Sequence, residues 1–419
     1  MKTLFKLAFR NVFRYKRRTI ITFSSISFGL GLMIAGFSLY KGIDKQSFDN
    51  IINSQTSHLN IFAKGYFEKK DDIPLEITID QPQKIKSILK NIKEIQALET
   101  RILFAASLIK GLDELPCLGV AVETEIDPLV FNIKDSLKEG NFLEASDQKI
   151  IIGSSLAKDL SLKVGDMCVL RMFISTEDYV WNALDIEIKG IFETENPVVN
   201  RQTIFIPLPL AQESLSLGTK STEIVVRLKD KNQLSQVKTS IQSSLASLKD
   251  DYEVKSFEEM ASDFVEVTKM KTRGQSIILL VMLLIATLGI VNTMLMAVME
   301  RTREIGMLAA MGMRKLEVML LFIFEGAIIG FFGSLTGCII GGLGGWYLEV
   351  KGYDMSFLGE EFTDLVASMY PIKGAFYGDL TIGILLFTLI FGIAVSILAS
   401  LYPAYKSVKL DPIKALRHV

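Results

Sequence analysis

Histidine and cysteine are nearly missing from this chain. Its 419 residues hold two histidines, His58 and His418, and three cysteines. A histidine-based metal centre or a Ser-His-Asp arrangement needs more imidazole than that, and there is no Cys-x-x-Cys pair. The phosphate-cradling pattern GxxxxGK[ST], the HExxH helix and the GxSxG elbow are also absent, which removes the commonest nucleotide-binding and hydrolytic chemistries. An excess of one charge is missing too. With 46 basic and 47 acidic residues the net charge is −1, which argues against nucleic-acid binding driven by bulk electrostatics. No unit of 20–50 residues repeats, so a solenoid is excluded.

Apolar residues are plentiful, at 49% alongside 22% charged ones. Such a mixture implies segregation, and four runs bear it out. Thr19–Tyr40, Gly274–Met299 and Leu380–Leu401 contain no charge, and Val318–Leu348 contains only Glu325. About 20 helical residues cross a hydrocarbon layer of about 30 Å. The expected fold class is therefore a membrane protein with four transmembrane α-helices and a large mixed α/β domain inserted between the first and second. The predicted segments are an amphipathic helix at 1–18, spans at 19–42, 274–299, 318–348 and 380–401, and the inserted domain with helical stalks at 43–270. Short loops fill 300–316 and 349–379, and 402–419 forms a tail. With no row of intramembrane charges, a channel or proton-coupled carrier is poorly supported.

Basic residues set the orientation. Lys2, Lys6, Arg10, Arg14, Lys16, Arg17 and Arg18 precede the first span with no acid among them; Arg301, Arg303, Arg314 and Lys315 occupy the second-to-third connection. The tail adds Lys406, Lys409, Lys414 and Arg417. Both termini and that connection are predicted inside, the large domain outside. At the N-terminus the basic stripe Lys2, Lys6, Arg10, Arg14 lies beside an apolar face of Phe5, Phe9, Val12 and Phe13, as in a helix lying on a membrane surface. A plain orientation signal explains the same residues. A cleaved leader is disfavoured, since the run exceeds 7–15 residues and only Gly36 and Ser38 offer a small-residue pair.

In the inserted domain, alternation predicts strands at 75–79, 185–189 and 223–228. Helices fit around 83–93, 154–161 and 232–248, and Ser256 with Glu259 forms a capping box ahead of a helix entering the second span. Cys117 and Cys168 fit either one disulfide or two buried thiols.

Three further features stand out. Glu325 lies two turns into the third span, close enough to the interface to pair with Arg314 or Lys315 or to point into the bundle. Gly326, Gly330, Gly333, Gly337 and Gly341 line much of one face of that span, as at closely packed membrane helices; packing within one chain and a sliding or subunit interface both fit. In the loop from Glu300 to Lys315, Ile305, Leu308 and Met311 can face the membrane or a partner.

The stretch Met299–Lys315, followed by the Glu325 and glycine span, resembles the FtsX-like ABC-transporter permeases. The opening Leu7–Arg18 and the tail Tyr402–Arg417 are similar to the same family. So are Glu139-Gly140-Asn141-Phe142, Ile150–Leu160, Leu162–Met167 and Ile188–Phe192, at the positions where MacB-type and lipoprotein-releasing (Lol-type) permeases carry a periplasmic domain. Residues 54–135 show no such likeness, and Ala309 departs from the basic residue often found there. The resemblance implies mechanotransmission in the bacterial inner membrane. A separate ATPase dimer, holding ATP and Mg, docks on a coupling helix at 300–316, through Glu300, Arg301, Arg303, Glu304, Met307, Ala310, Met311 and Arg314. It also implies a second permease, the same chain or a paralogue, and no catalytic residue, metal or cofactor in this chain. Among family members the lipoprotein-releasing permeases are favoured, with acylated cargo, a periplasmic carrier and lipid as partners, and no nucleic acid. Phe28, Leu32, Phe37, Tyr40, Ile285 and Leu288 are expected to line the acyl-chain cavity. A MacB-type exporter of peptides or small molecules and a regulator of cell-wall hydrolases are the alternatives.

Overall fold

The computed structural model describes residues 1–14, 16–175, 180–246, 248, 251–354, 359, 370–372 and 374–408. The side chains at 18, 175, 272, 276, 279, 280, 282–286, 289, 297, 309 and 310 lie outside that description. Two compact units result. One comprises Met1–Lys45, Val267–Asp354 and Ala375–Val419, the other Gln46–Glu266 with Met355–Gly374.

Apolar runs become long helices because hydrocarbon cannot satisfy a backbone N–H or C=O. Helices Lys16–Ile51, Ser262–Glu300 and Lys315–Lys351 contain the first three runs, and helix Ile382–Val408 holds the fourth from Ile382 onward. Among the described residues, three helical stretches are long and apolar enough to cross a membrane: Thr19–Thr56, Lys315–Lys351 and Ile382–Val408. The expected span at 274–299 falls in helix Ser262–Glu300, many of whose side chains are not described. The last helix continues through Pro403 to Val408. The rest of the tail, and most of the 349–379 loop, lie outside the described residues.

Close backbone approach holds the first unit together. Gly326 and Gly330 meet Ser400 and Ser396 of helix Ile382–Val408, while Gly333, Gly337 and Gly341 meet helix Lys16–Ile51 at Ile26, Ser27 and Gly31. A Cβ at Gly341 would stand 2.7 Å from the Gly31 carbonyl oxygen. Ser27 Oγ donates to the Gly333 carbonyl at 3.0 Å, a bond that only this proximity permits. The glycine face is thus occupied inside the chain.

The N-terminal helix Lys2–Arg14 buries Ala8, Asn11 and Val12. Of the apolar face expected to lie on the membrane surface, Phe5, Phe9 and Phe13 are 42–52% exposed and Val12 is buried. The three phenylalanines form a separate apolar strip.

The second unit is built on ten strands: β1 Leu59–Ala63, β2 Ile95–Lys110, β3 Asp113–Val122, β4 Leu137–Gly140, β5 Lys149–Gly153, β6 Met167–Ser175, β7 Val180–Phe192, β8 Thr203–Pro207, β9 Glu223–Leu228 and β10 Tyr252–Ser256. The long strand β2 serves two structures. Its residues 95–101 close a four-stranded sheet in the order β10-β1-β9-β2. Its residues 102–110 enter a ring in which β2, β3, β8, β5, β7 and β6 pair in turn and β6 returns to β2. Closure removes free edges. One core of Ile102, Phe104, Leu108, Ile150, Leu170 and Ile188, among others, belongs to the ring strands. A second lies between the four-stranded sheet and the helices Pro82–Leu89 and Leu234–Leu245.

The expected strands at 185–189 and 223–228 fall within β7 and β9. That at 75–79 does not form: only Ile79 bridges, to Ser221. Alternation alone cannot supply a neighbouring strand. The capping box at Ser256 and Glu259 is present, but it opens a short helix, Phe257–Met260, ahead of Ser262–Glu300. Cys117 and Cys168 are free, buried thiols, and burial pushes them up to about 12 and about 11.

Where the sheet meets the ring, Arg101 is buried with three carboxyl groups. Its Nε donates to Glu99 at 3.1 Å, its Nη2 reaches Asp127, and its guanidinium lies 3.7 Å over the Phe131 ring. Glu223 accepts from Asn60 at 2.8 Å. Burial pushes Glu99 well above the ordinary carboxylate range despite Arg101, and raises Asp127 and Glu223 as well. One guanidinium faces three buried carboxyl groups, so burial favours their neutral forms.

A carboxyl with a raised folded pKa favours the fold while protonated. That contribution is complete below the ordinary value of 4.5 and is lost as pH climbs through the raised one. Thermal unfolding at pH 5 and pH 8 should show Glu99→Gln flattening the fall in stability with rising pH; an unchanged slope contradicts the assignment. In the first unit, Gly341→Ala should destabilise by about 1–3 kcal/mol through overpacking. Gly344→Ala, with open space around it, should leave the melting temperature of the detergent-solubilised chain unchanged or slightly higher.

Candidate functional site

Helix Ser262–Glu300 stops at Glu300, and a short helix, Thr302–Ala310, begins after a single intervening residue. Thr302 Oγ1 donates back to the Met299 carbonyl at 2.8 Å. The short helix ends where Gly312 takes φ of +94°, a conformation that suits glycine. The Met313 N–H then donates to the Leu308 carbonyl at 3.1 Å. Arg314 N–H donates to Glu317 at 2.8 Å and opens helix Lys315–Lys351. Two abrupt turns therefore bring the 302–310 segment back against the helices it connects.

The residue between the first two helices, Arg301, turns inward. Its Nη1 donates to Glu325 Oε1 at 2.8 Å and Oε2 at 3.2 Å, and its Nε donates to Glu304 at 3.0 Å. Asn11 of the N-terminal helix donates to the same Glu325 Oε1 at 2.8 Å. Glu304 reaches on to Arg14 at 3.5 Å. The Arg301 and Glu325 side chains are 5% and 2% exposed, and the guanidinium faces the Phe322 ring. Three segments far apart in sequence thus share one carboxylate.

Of the two expected arrangements, Glu325 points into the bundle and does not pair with Arg314 or Lys315. Ten residues separate Glu325 from Lys315, about 15 Å along a helix axis, beyond the reach of either side chain. Arg301 comes within range only because the loop folds back. Of the residues expected to meet an ATPase, Glu300, Arg303 and Arg314 are exposed and Glu304 is half-buried. Met307 and Met311 are 48% and 78% exposed. Arg301 is inside, where no partner can touch it, and the Ala310 side chain is not described. Ile305, expected outside, packs with Val298, Val318, Phe322 and Ala404. Asn11 was missed. Its one signal is a polar residue amid the buried positions Ala8 and Val12.

The residues expected around acyl chains separate. Phe28, Leu32 and Leu288 are 53–67% exposed, on outward faces. Phe37 packs against the core of the unit, Tyr40 is half-buried, and the Ile285 side chain is not described. The helices do enclose a cavity of about 70 Å³, but Ile26, Gly29, Leu30, Met33, Ile290 and Phe391 line it. No group of three metal-ligating side chains occurs among the described residues.

Residues 19–244, more than half of the chain, match the MacB-like periplasmic core domain, and residues 276–412 match the FtsX-like permease C-terminal domain. Similar proteins include an uncharacterized ABC transporter permease of Methanocaldococcus jannaschii, 22% identical, covering 98% of this chain and 96% of that one. The lipoprotein-releasing system transmembrane protein LolC of Haemophilus influenzae is 22% identical over 82% of this chain and 83% of its own length. The macrolide export ATP-binding/permease protein MacB of Psychrobacter cryohalolentis is 25% identical over 98% of this chain, which spans 59% of that protein.

Removing one partner of a buried ion pair strands the other, at a cost of about 3–5 kcal/mol. Glu325→Leu alone should therefore lower stability by that order in chemical unfolding of the solubilised chain. Combining it with Arg301→Met should recover most of the loss. Equal instability of the single and double variants would show that the pair does not carry the interaction.

Proposed function

This chain belongs to the FtsX-like, MacB-type family of ABC-transporter permeases, and from that premise we propose that it passes the work of a separate ATPase dimer across the inner membrane to release acylated lipoproteins. ATP and Mg are held by the ATPase, a second permease completes the bundle, and a periplasmic carrier receives the cargo. Both termini and the 302–310 helix face the cytoplasm, and the Gln46–Glu266 unit faces the periplasm.

One observation carries the coupling role. The 302–310 helix exposes Arg303 and Met307 and adjoins the exposed Met311, while Arg301, next to its first residue, is held by Glu325 inside the bundle. A push on the exposed side chains acts on a helix fastened to the transmembrane helices at that carboxylate. The cargo assignment draws on LolC, matched over most of both chains, and on the exposed Phe28, Leu32 and Leu288, which leave apolar helix faces open to acyl chains. A second reading, export with a periplasmic adaptor, draws on MacB, matched over nearly the whole of this chain.

Arg303→Glu combined with Met307→Asp should cut ATP-dependent release of a triacylated protein from proteoliposomes at least tenfold. The partner's own hydrolysis and the melting temperature of this chain should stay unchanged. Undiminished release would remove the docking role. ATP-dependent efflux of a small amphiphile with no lipoprotein release would favour the exporter.

A further inference from the structure

The N-terminal helix Lys2–Arg14 divides into stripes, because residues four apart stay on one side of an α-helix. Ala8 and Val12, with Asn11 beside them, are buried where the helix packs on Lys315–Lys351. Phe5, Phe9 and Phe13 form a second stripe, and Lys2, Lys6 and Arg10 a third; all six are exposed. Phe5 meets Phe324 edge-on at 6.0 Å between ring centroids, and Phe9 and Phe13 meet each other at 4.8 Å. These contacts cover one side of each ring and leave the outer side open.

Charge and position identify the occupant. Lys2, Lys6, Arg10, Lys16 and Arg17 are exposed, and none pairs with a carboxylate among the described residues. Arg14 alone does, with Glu304 at 3.5 Å. The first acidic residue of the chain is Asp44, so nothing within the segment offsets the basic stripe. Ile20 and Ile21, at the start of the first spanning helix, are 60% and 63% exposed, so the hydrocarbon that covers them lies close to the phenylalanine stripe. Rings that enter the acyl layer, beside Lys and Arg stems that reach headgroup phosphates, are the two elements of a helix seated on an anionic leaflet.

The buried stripe gives that seat a consequence. Asn11 donates to Glu325 at 2.8 Å, and Thr19 Oγ1 donates to the Val12 carbonyl at 2.7 Å, which ties the helix to the start of Lys16–Ile51. We propose that this helix is a binding site for anionic phospholipid of the inner leaflet, whose occupancy holds Asn11 on Glu325 and so steadies the junction from which the 302–310 helix starts. The effect on that helix rests on its proposed coupling role; the lipid site does not. A nanodisc carries the same lipids on both faces and no ATPase, so failure of the lipid site and failure of ATPase docking are separate results.

Electron paramagnetic resonance of spin-labelled lipids around the full chain in nanodiscs tests the site. Phosphatidylglycerol should be retained over phosphatidylcholine, and the preference should fall by at least about threefold in the combined variant Lys2→Gln, Lys6→Gln and Arg10→Gln. The charge-conserving variant Lys2→Arg, Lys6→Arg and Arg10→Lys should keep it. Phosphatidylglycerol should also raise the melting temperature of the wild-type chain but not that of Asn11→Leu, whose lipid preference stays. Equal retention of the two lipids, or a preference undiminished in the glutamine variant, would overturn the lipid site. Displacement of the lipid by soluble glycerol phosphate would identify a free anion and overturn it too. An equal rise in Asn11→Leu would overturn the link to Glu325, since a ligand shifts only an equilibrium whose states it binds unequally.

Discussion

The Glu325 carboxylate is the point on which the arrangement of the basic end depends. A charge deep in an apolar helix costs on the order of 3 kcal/mol by insertion scales, so it must be met by charge and hydrogen bonds. Arg301 and Asn11 do so together, both within 2.8 Å of the same oxygen. Satisfying one carboxylate thereby fixes the N-terminal helix, the 302–310 helix and the Lys315–Lys351 helix as one assembly. The outer link from Glu304 to Arg14 adds little, because the Arg14 side chain is 64% exposed and water screens it. The buried pair decides the geometry.

A second constraint comes from the surroundings of the long helices. Hydrocarbon provides no drive to exclude apolar side chains, so helices associate by close contact and by hydrogen bonds from one helix to the next. Gly337 against Ser27, Gly341 against Gly31 and Gly330 against Ser396 provide the contact, and Ser27 provides the bond. The Gln46–Glu266 unit uses other means. A closed ring of strands and a helix-backed sheet bury ordinary apolar cores, with Arg101 as the exception at their junction. Burial raises the pKa of the carboxyl groups there, and the titration of Glu99 ties the unit's stability to pH.

Much of this was legible from residue order. Uncharged runs of 22 and 26 residues announce long helices, and β7 and β9 declare themselves by alternation. The glycine spacing at 326, 330, 333, 337 and 341 marks a packed face before any partner is visible. Contacts made by chain reversal were not legible. Arg301 reads like any basic loop residue, and its inward turn follows from the breaks at Glu300 and Gly312. Asn11 looks incidental until Glu325 is placed beside it. At 75–79 the alternating pattern had no neighbour to pair with, since β9 already lies between β1 and β2. The closed ring depends on one strand serving two sheets, and no local period encodes that.

Site-specific photocrosslinking from position 307 in native membranes tests the central claim most directly. With a photoreactive residue replacing Met307, mass spectrometry of the adduct should identify an ATP-binding-cassette ATPase, and no such adduct should form from Leu112 in the hairpin between β2 and β3. Adducts with lipid alone at position 307, or an ATPase captured equally from both positions, would contradict the account.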